Sequence, residues 1–285
     1  MLRNEPFAAA ERGPGDTIVL LISLVFTGIA LASIAVLPSW HHQFMVFGSP
    51  LGIGVSGRWL LAGLLTALTA AGIDALVRSV PGNQHVDLRY TATFWVLPSL
   101  VTLAAATAIP SQIEDLSRWF GDMVLMGTLL SMVVIAEYGT LKMDTAVYRS
   151  ARLALNIATY GAAFAIYATI FDLRARTLLS ATAVLLVTFP LALELLRGTA
   201  DQLRTTWLYA SVVALVTAEL TWVLNRLGLG SLAGGALLLL AFYTMSGIAQ
   251  QYLAGRLNRW VILEFATIAL LGFLAVALSA PWLLR

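Results

Sequence analysis

Hydropathy along the chain rises and falls in long apolar runs parted by short polar breaks, near residues 17–38, 58–77, 91–109, 117–140, 148–171, 177–196, 205–224, 230–249 and 260–282. A hydrocarbon core of about 30 Å needs about 20 apolar residues per crossing helix. Each run has about that length, so the pattern predicts an all-α fold: a polytopic transmembrane helical bundle of about nine spans. Eight to ten spans fit the same pattern, because residues 39–57 are apolar enough to dip into the membrane and the sixth and seventh runs are closely spaced. Residues 1–16 are expected to be a polar N-terminal segment and 17–285 a single transmembrane helical domain. The opening "MLRNEPFAAAERGPGD" lacks the basic, apolar, small-residue order of a cleaved signal, so the first span is expected to insert and stay.

Three local departures refine the pattern. After the first span, Leu51, Ile53 and Val55 alternate with Gly52, Gly54 and Ser56 behind a Gly48-Ser49-Pro50 turn signal, which reads as a short hairpin-like outer loop. Pro98 and Pro190 stand inside the third and sixth runs, where each removes a backbone hydrogen bond. With the Ala-Glu pairs at 136–137 and 218–219, they hint at an inverted repeat of the kind transporters use, although the spacings differ. Gly230 with Gly234, and Ser231 with Gly235, recur at four-residue spacing, which lets two helices approach closely.

Composition agrees with a lipid environment: 59% of residues are hydrophobic and 11% charged, against about 25% charged in soluble domains. There is no cysteine, which excludes disulfides and thiolate metal sites. The net charge of +2 comes from scattered loop cations, and nothing supports nucleic-acid binding. With nine spans and the N-terminus inside, Arg3, Arg12, Arg78, Arg89, Lys142, Arg149, Arg152, Arg197, Arg204, Arg256 and Arg259 lie inside, and Arg58, Arg118, Arg174, Arg176, Arg226 and Arg285 outside. That excess favours N-in, C-out. Trp40, Trp59, Trp95, Trp119, Trp207, Trp222, Trp260 and Trp282 fall near span ends, as amphipathic rings prefer.

Acids inside spans are the sharpest functional candidates, because a charge at mid-bilayer is expensive. Asp74 precedes Arg78 by four residues and Glu194 precedes Arg197 by three, spacings that allow ion pairs on one helix face. Glu264 and Asp122 lie within about a turn of helix starts, where negative charge is welcome. Glu137 and Glu219 have no cation three or four residues away, and they are the candidate substrate- or proton-binding acids of a polar interior. Two rows of polar side chains could join them: Asn156 and Tyr160, with Tyr167 roughly on the same face, and Tyr243, Ser246 and Gln250.

Several chemistries are argued against. The one lysine, Lys142, is in a predicted loop, which excludes a retinal Schiff base. His41, His42 and His85 are also in loops, so haem ligation within the bilayer fails. Adjacent His41 and His42 make a poor surface metal site, and "GVSG" at 54–57 resembles an intramembrane serine-protease motif without the histidine base it needs. Zinc-protease, Walker-type and aspartate-rich motifs are missing. No cofactor or metal is expected, and a membrane enzyme is disfavoured, although inner-face acids and arginines could still handle a lipid headgroup.

The run "AEYGTLKMDTAVYRSARLALNIATYGAAFAIY", followed by "AELTWVLN" and "LLLLAFYTMSGIAQQYL", resembles a group of uncharacterised bacterial multi-span membrane proteins over residues 130 to 265. The resemblance brings no activity and implies a bacterial cytoplasmic membrane. The leading expectation is a carrier of a small solute or lipid-like substrate that uses Glu137 and Glu219. The alternative is a non-catalytic structural or assembly subunit of a larger membrane complex. Expected partners are membrane lipids and either other membrane subunits or further copies of the chain.

Overall fold

All nine apolar runs form helices. The structure, a computed structural model, describes residues 14–34, 38–46, 49–80, 85–108, 115–141, 145–172, 177–197, 203–227 and 229–279. Among these residues nine helices are long and apolar enough to cross a membrane, and the protein is an integral membrane protein. They are α1 (Pro14–Ile34), α2 (Gly57–Arg78), α3 (Leu88–Ala108), α4 (Leu116–Leu141), α5 (Thr145–Asp172), α6 (Thr177–Leu196), α7 (Leu203–Arg226), α8 (Ser231–Leu253) and α9 (Arg259–Ser279). Pro98 and Pro190 both stand inside continuous helices, α3 and α6.

Helix ends are set by local hydrogen bonding. Asp115 precedes α4 and accepts hydrogen bonds from the Ser117 amide at 2.9 Å and the Ser117 hydroxyl at 2.7 Å. These bonds satisfy an otherwise orphaned first-turn amide and hold the Asp115 carboxyl below the usual aspartate range. Asn258 plays the same part for α9, accepting from the amides of Trp260 at 2.8 Å and Val261 at 3.0 Å. Helix α8 ends through Gly255, whose φ of 66° is left-handed. The Arg256 amide donates back to Gln251 O and the Gly255 amide to Tyr252 O, a pairing that closes a helix where the next residue can adopt positive φ.

The expected hairpin is present. Strand β1 (Ser39–Val46) pairs antiparallel with β2 (Ser49–Ser56), from Ser39 opposite Ser56 to Val46 opposite Ser49. The Gly57 amide donates to Pro38 O at 2.8 Å at its base, where β2 passes directly into α2. Gly48 of the expected turn lies outside the described residues, as do the side chains of His41 and His42.

The chain divides into two compact units, Met1–Arg152 and Leu153–Arg285, with the division inside α5. In the first unit α1, α2, α3 and α4 each touch the other three. Leucines and glycines interlock α1 with α2: Leu21 occupies the space over Gly72, and Leu65 that over Gly28, where an added Cβ would overlap them. The hydroxyls of Thr69 and Thr102 meet at 3.0 Å between α2 and α3. Arg58 donates to the carbonyls of Ala106 at 3.2 Å and Thr107 at 3.0 Å, so a cation covers the exposed carbonyl end of α3.

In the second unit α8 touches α6, α7 and α9. It meets α5 where the small-residue spacing predicts close approach: Phe171 lies over Gly234, and a Cβ on Gly235 would come within 2.8 Å of the Ala168 backbone nitrogen. Helices α8 and α9 exchange side chains reciprocally, Phe265 over Gly247 and Leu240 over Gly272.

Candidate functional site

The two polar rows expected on α5 and α8 face each other in the second unit. The Tyr160 hydroxyl lies 3.3 Å from Ser246 Oγ, and the Tyr160 ring stands 5.6 Å from that of Tyr243 and 5.8 Å from that of Phe242. Tyr243 in turn meets Phe265 of α9 at 5.7 Å between centroids. About two turns further along α5, Tyr167 is fully buried; its hydroxyl lies 2.7 Å from Thr188 Oγ1 of α6, and its ring packs edge-on to Phe242. Interhelical hydrogen bonds and tilted aromatic pairs thus hold α5, α6, α8 and α9 around one aromatic cluster.

Above this cluster is a cleft of about 320 Å³ lined by Tyr160, Ala236, Leu239, Leu240 and Tyr243. Ala236, Leu239, Leu240 and Tyr243 share one face of α8, three and four residues apart. The lining is almost wholly apolar, with Tyr160 and Tyr243 contributing their rings. Its volume is at the lower end of the range of about 300–1,000 Å³ for small-molecule pockets, enough for a chain segment and too little for a whole phospholipid.

The remaining candidates separate from this cleft. Asn156 is half-buried one turn before Tyr160 on α5. Gln250 is engaged structurally: its Nε2 donates to Leu195 O at 2.9 Å, satisfying a last-turn carbonyl of α6 that has no partner within the helix. Beside it Glu194 and Arg197 form an ion pair at 3.1 Å, with side chains 1% and 8% exposed, so this pair is buried, and the cation sits favourably at the helix C-terminus. Asp74 and Arg78 pair at 2.8 Å as their spacing predicts.

Glu137 and Glu219 do not share a polar interior. Glu137, 1% exposed, is buried near the end of α4 in the first unit. There α4 and the start of α5 pack closely: a Cβ on Gly139 would come within 3.0 Å of that of Ala151. Glu219 belongs to the second unit and is exposed on α7 among Leu215, Trp222 and Val223. An exposed face could not be read from the sequence, because in a membrane helix both the packed and the open face are apolar. An ionised carboxylate within the hydrocarbon is costly, up to about 2.5–3.5 kcal/mol at the centre of a span on insertion scales, so the position of Glu219 calls for an explanation other than packing.

One feature was not singled out in the sequence. Asp74 Oδ1 on α2 and Trp95 Nε1 and Ser99 Oγ on α3 are shielded and have no hydrogen-bond partner among the described residues. Trp95 and Ser99 are one turn apart on α3, and the i,i+4 spacing of two polar side chains was the available signal. Shielded groups of this kind are what ordered water satisfies. Among the described residues no three or more His, Asp or Glu side chains gather as a metal site would need.

No curated protein and no solved structure matches the chain. Residues 37–279, from the hairpin through α9, match the model of a family described as a protein of unknown function, DUF5656. The match takes in the whole cleft and most of the chain, and the protein belongs to that family.

Proposed function

We propose that this protein binds a lipid-like molecule in the cleft between α5 and α8 and carries or presents it within the bilayer. The observation that supports this reading over a small polar solute is the lining: Ala236, Leu239, Leu240 and the rings of Tyr160 and Tyr243 make an almost wholly apolar surface that accepts a hydrocarbon chain. A second open groove between α1 and α2, about 830 Å³ and lined largely by Leu and Val with Asp16 at one end, is also suited to chains and not to hydrated solutes. In this reading Glu137 is the charge- or proton-handling position, and the protein resides in a bacterial cytoplasmic membrane, N-terminus inside. The reading of an assembly subunit is favoured by a separate observation, that no residue of α9 is buried.

The test is photolabelling in nanodiscs with a lipid bearing a diazirine on its chain, followed by mapping of the labelled peptides. Label concentrated on α8 residues 236–243 and lost at least about tenfold in Leu239→Trp, which fills the cleft, is the expected result. Uniform labelling, or labelling unchanged by Leu239→Trp, overturns it. The purification itself addresses the alternative: a stoichiometric set of other proteins retained with the chain supports the assembly reading.

A further inference from the structure

The exposed face of α7 poses a problem that the cleft does not solve. Ala210, Val213, Ala214, Thr217, Ala218, Thr221 and Leu224 are buried, which fixes the opposite face outward: Leu208, Val212, Leu215, Glu219, Trp222 and Val223 are exposed. Glu219 precedes the last residue of α7 by seven positions, about 10 Å at helical rise. The helix has 24 residues and is about 36 Å long, so when centred on a hydrocarbon core of about 30 Å it holds Glu219 about 7 Å below the core's edge. Among the described residues neither the Glu219 carboxylate nor the Trp222 indole has a hydrogen bond or ion pair. Lipid chains supply none.

We propose that this face is the seam of a homodimer, in which a second copy of the chain lays its α7 alongside and each Glu219 accepts a hydrogen bond from the Trp222 indole of the other copy. Self-complementarity points to a second copy as the occupant. A two-fold interface requires that where residue i meets j, j also meets i, and this face carries an acceptor and a donor three residues apart. Two copies inserted the same way present parallel α7 helices, so residues of equal depth meet and Glu219 of each lies within a turn of the other's Trp222. The two carboxylates then turn along the axis, each toward the other's indole. The outward positions 208, 212, 215, 219 and 222 alternate in steps of four and three, the spacing of parallel helices packed at a shallow left-handed crossing. The inference stands independently of the lipid-binding reading.

The chain's lack of cysteine makes the test direct. Leu215→Cys, on the seam and 51% exposed, is compared with Leu186→Cys on α6, 65% exposed and off the seam, in full-length protein in its own membrane under mild oxidation. The expected result is a disulfide-linked dimer for Leu215→Cys at least about tenfold more abundant than for Leu186→Cys. Adding Glu219→Leu or Trp222→Phe should lower that yield about three- to tenfold, the range of interhelical hydrogen bonds in membranes, whereas Glu219→Gln, which keeps an acceptor, should retain it. Retention in Glu219→Gln also shows that a loss in Glu219→Leu is not a loss of fold. Equal cross-linking at the two cysteines, a monomer by mass, cross-links to a different protein, or a yield indifferent to Glu219→Leu would each overturn the proposal.

Discussion

Tyr167 brings a polar atom to a fully buried position, and its hydroxyl is satisfied by one contact, 2.7 Å from Thr188 Oγ1. Removing that hydroxyl does not leave Thr188 stranded, because threonine in a helix can turn its hydroxyl to the carbonyl four residues back, as Thr69, Thr102, Thr159 and Thr217 do here. Tyr167→Phe is therefore expected to lower stability by about 0.6–1.7 kcal/mol, the membrane range for such bonds and not the larger penalty of an orphaned group. A double-mutant cycle with Thr188→Val, measured by denaturation in mixed micelles, should return a coupling of that size; a coupling near zero would mean that the hydroxyl contact contributes nothing. The same chemistry explains why this pair was only half legible in the sequence. Tyr167 belonged to a visible row on α5, but a threonine that can satisfy itself on its own helix gives no sign of where it points, and Thr188 was one of several in apolar runs. Gln250 shows the converse: its place in a row with Tyr243 and Ser246 was legible, and its use as a cap for the end of α6 was not, since that depends on which helix end lies beside it.

Among the elements, glycine separates contact from slack. Gly235 is where α8 comes against the α5 backbone, with Ala168 N 2.8 Å from the place a Cβ would take, whereas Gly161 on α5 has nothing within 4 Å. Gly235→Ala must push two backbones apart and is expected to destabilise by about 1–3 kcal/mol. Gly161→Ala should be neutral or stabilising by up to about 1 kcal/mol, since alanine loses less backbone freedom in a helix. Reversible unfolding of the two variants checks this, and equal effects would contradict the close approach of α5 and α8. The spacing of Gly230, Gly234, Ser231 and Gly235 announced a tight contact without naming its partner, because small residues show that something approaches and not what. Span positions were legible for a simpler reason: apolar length is dictated by membrane thickness. Helix ends depended on particular atoms. The Gly255 and Asn258 signals that close α8 and open α9 were in the sequence, in a break that hydropathy located without fixing its ends. The division of acids between a buried Glu137 and an outward Glu219 was illegible because lipid and protein interior both select apolar neighbours.

For the whole molecule, the open variable is direction, for which the charge distribution gives a prediction. If each of the nine apolar helices among the described residues crosses, Arg3 and Arg12 and the cations in and beside the breaks after the even-numbered helices share one side, and together they are eleven of the 17 lysines and arginines. Pairing some of them does not weaken the argument. Arg78 and Arg197 are held by Asp74 and Glu194, but acids contribute little to orientation, which follows the count of cations near the span ends. His85, between α2 and α3, and Ala254, between α8 and α9, are exposed and are expected on the cytoplasmic side; Gly230, between α7 and α8, is exposed, has open space around it and is expected outside. In the natural cysteine-free chain, a membrane-impermeant maleimide should therefore label Gly230→Cys in intact cells, and His85→Cys and Ala254→Cys only after permeabilisation. The opposite pattern would invert the protein. Labelling of His85→Cys and Gly230→Cys from the same side would be more consequential, because five helices separate them and an odd number cannot return the chain to the side it left; one of α3 to α7 would then not cross.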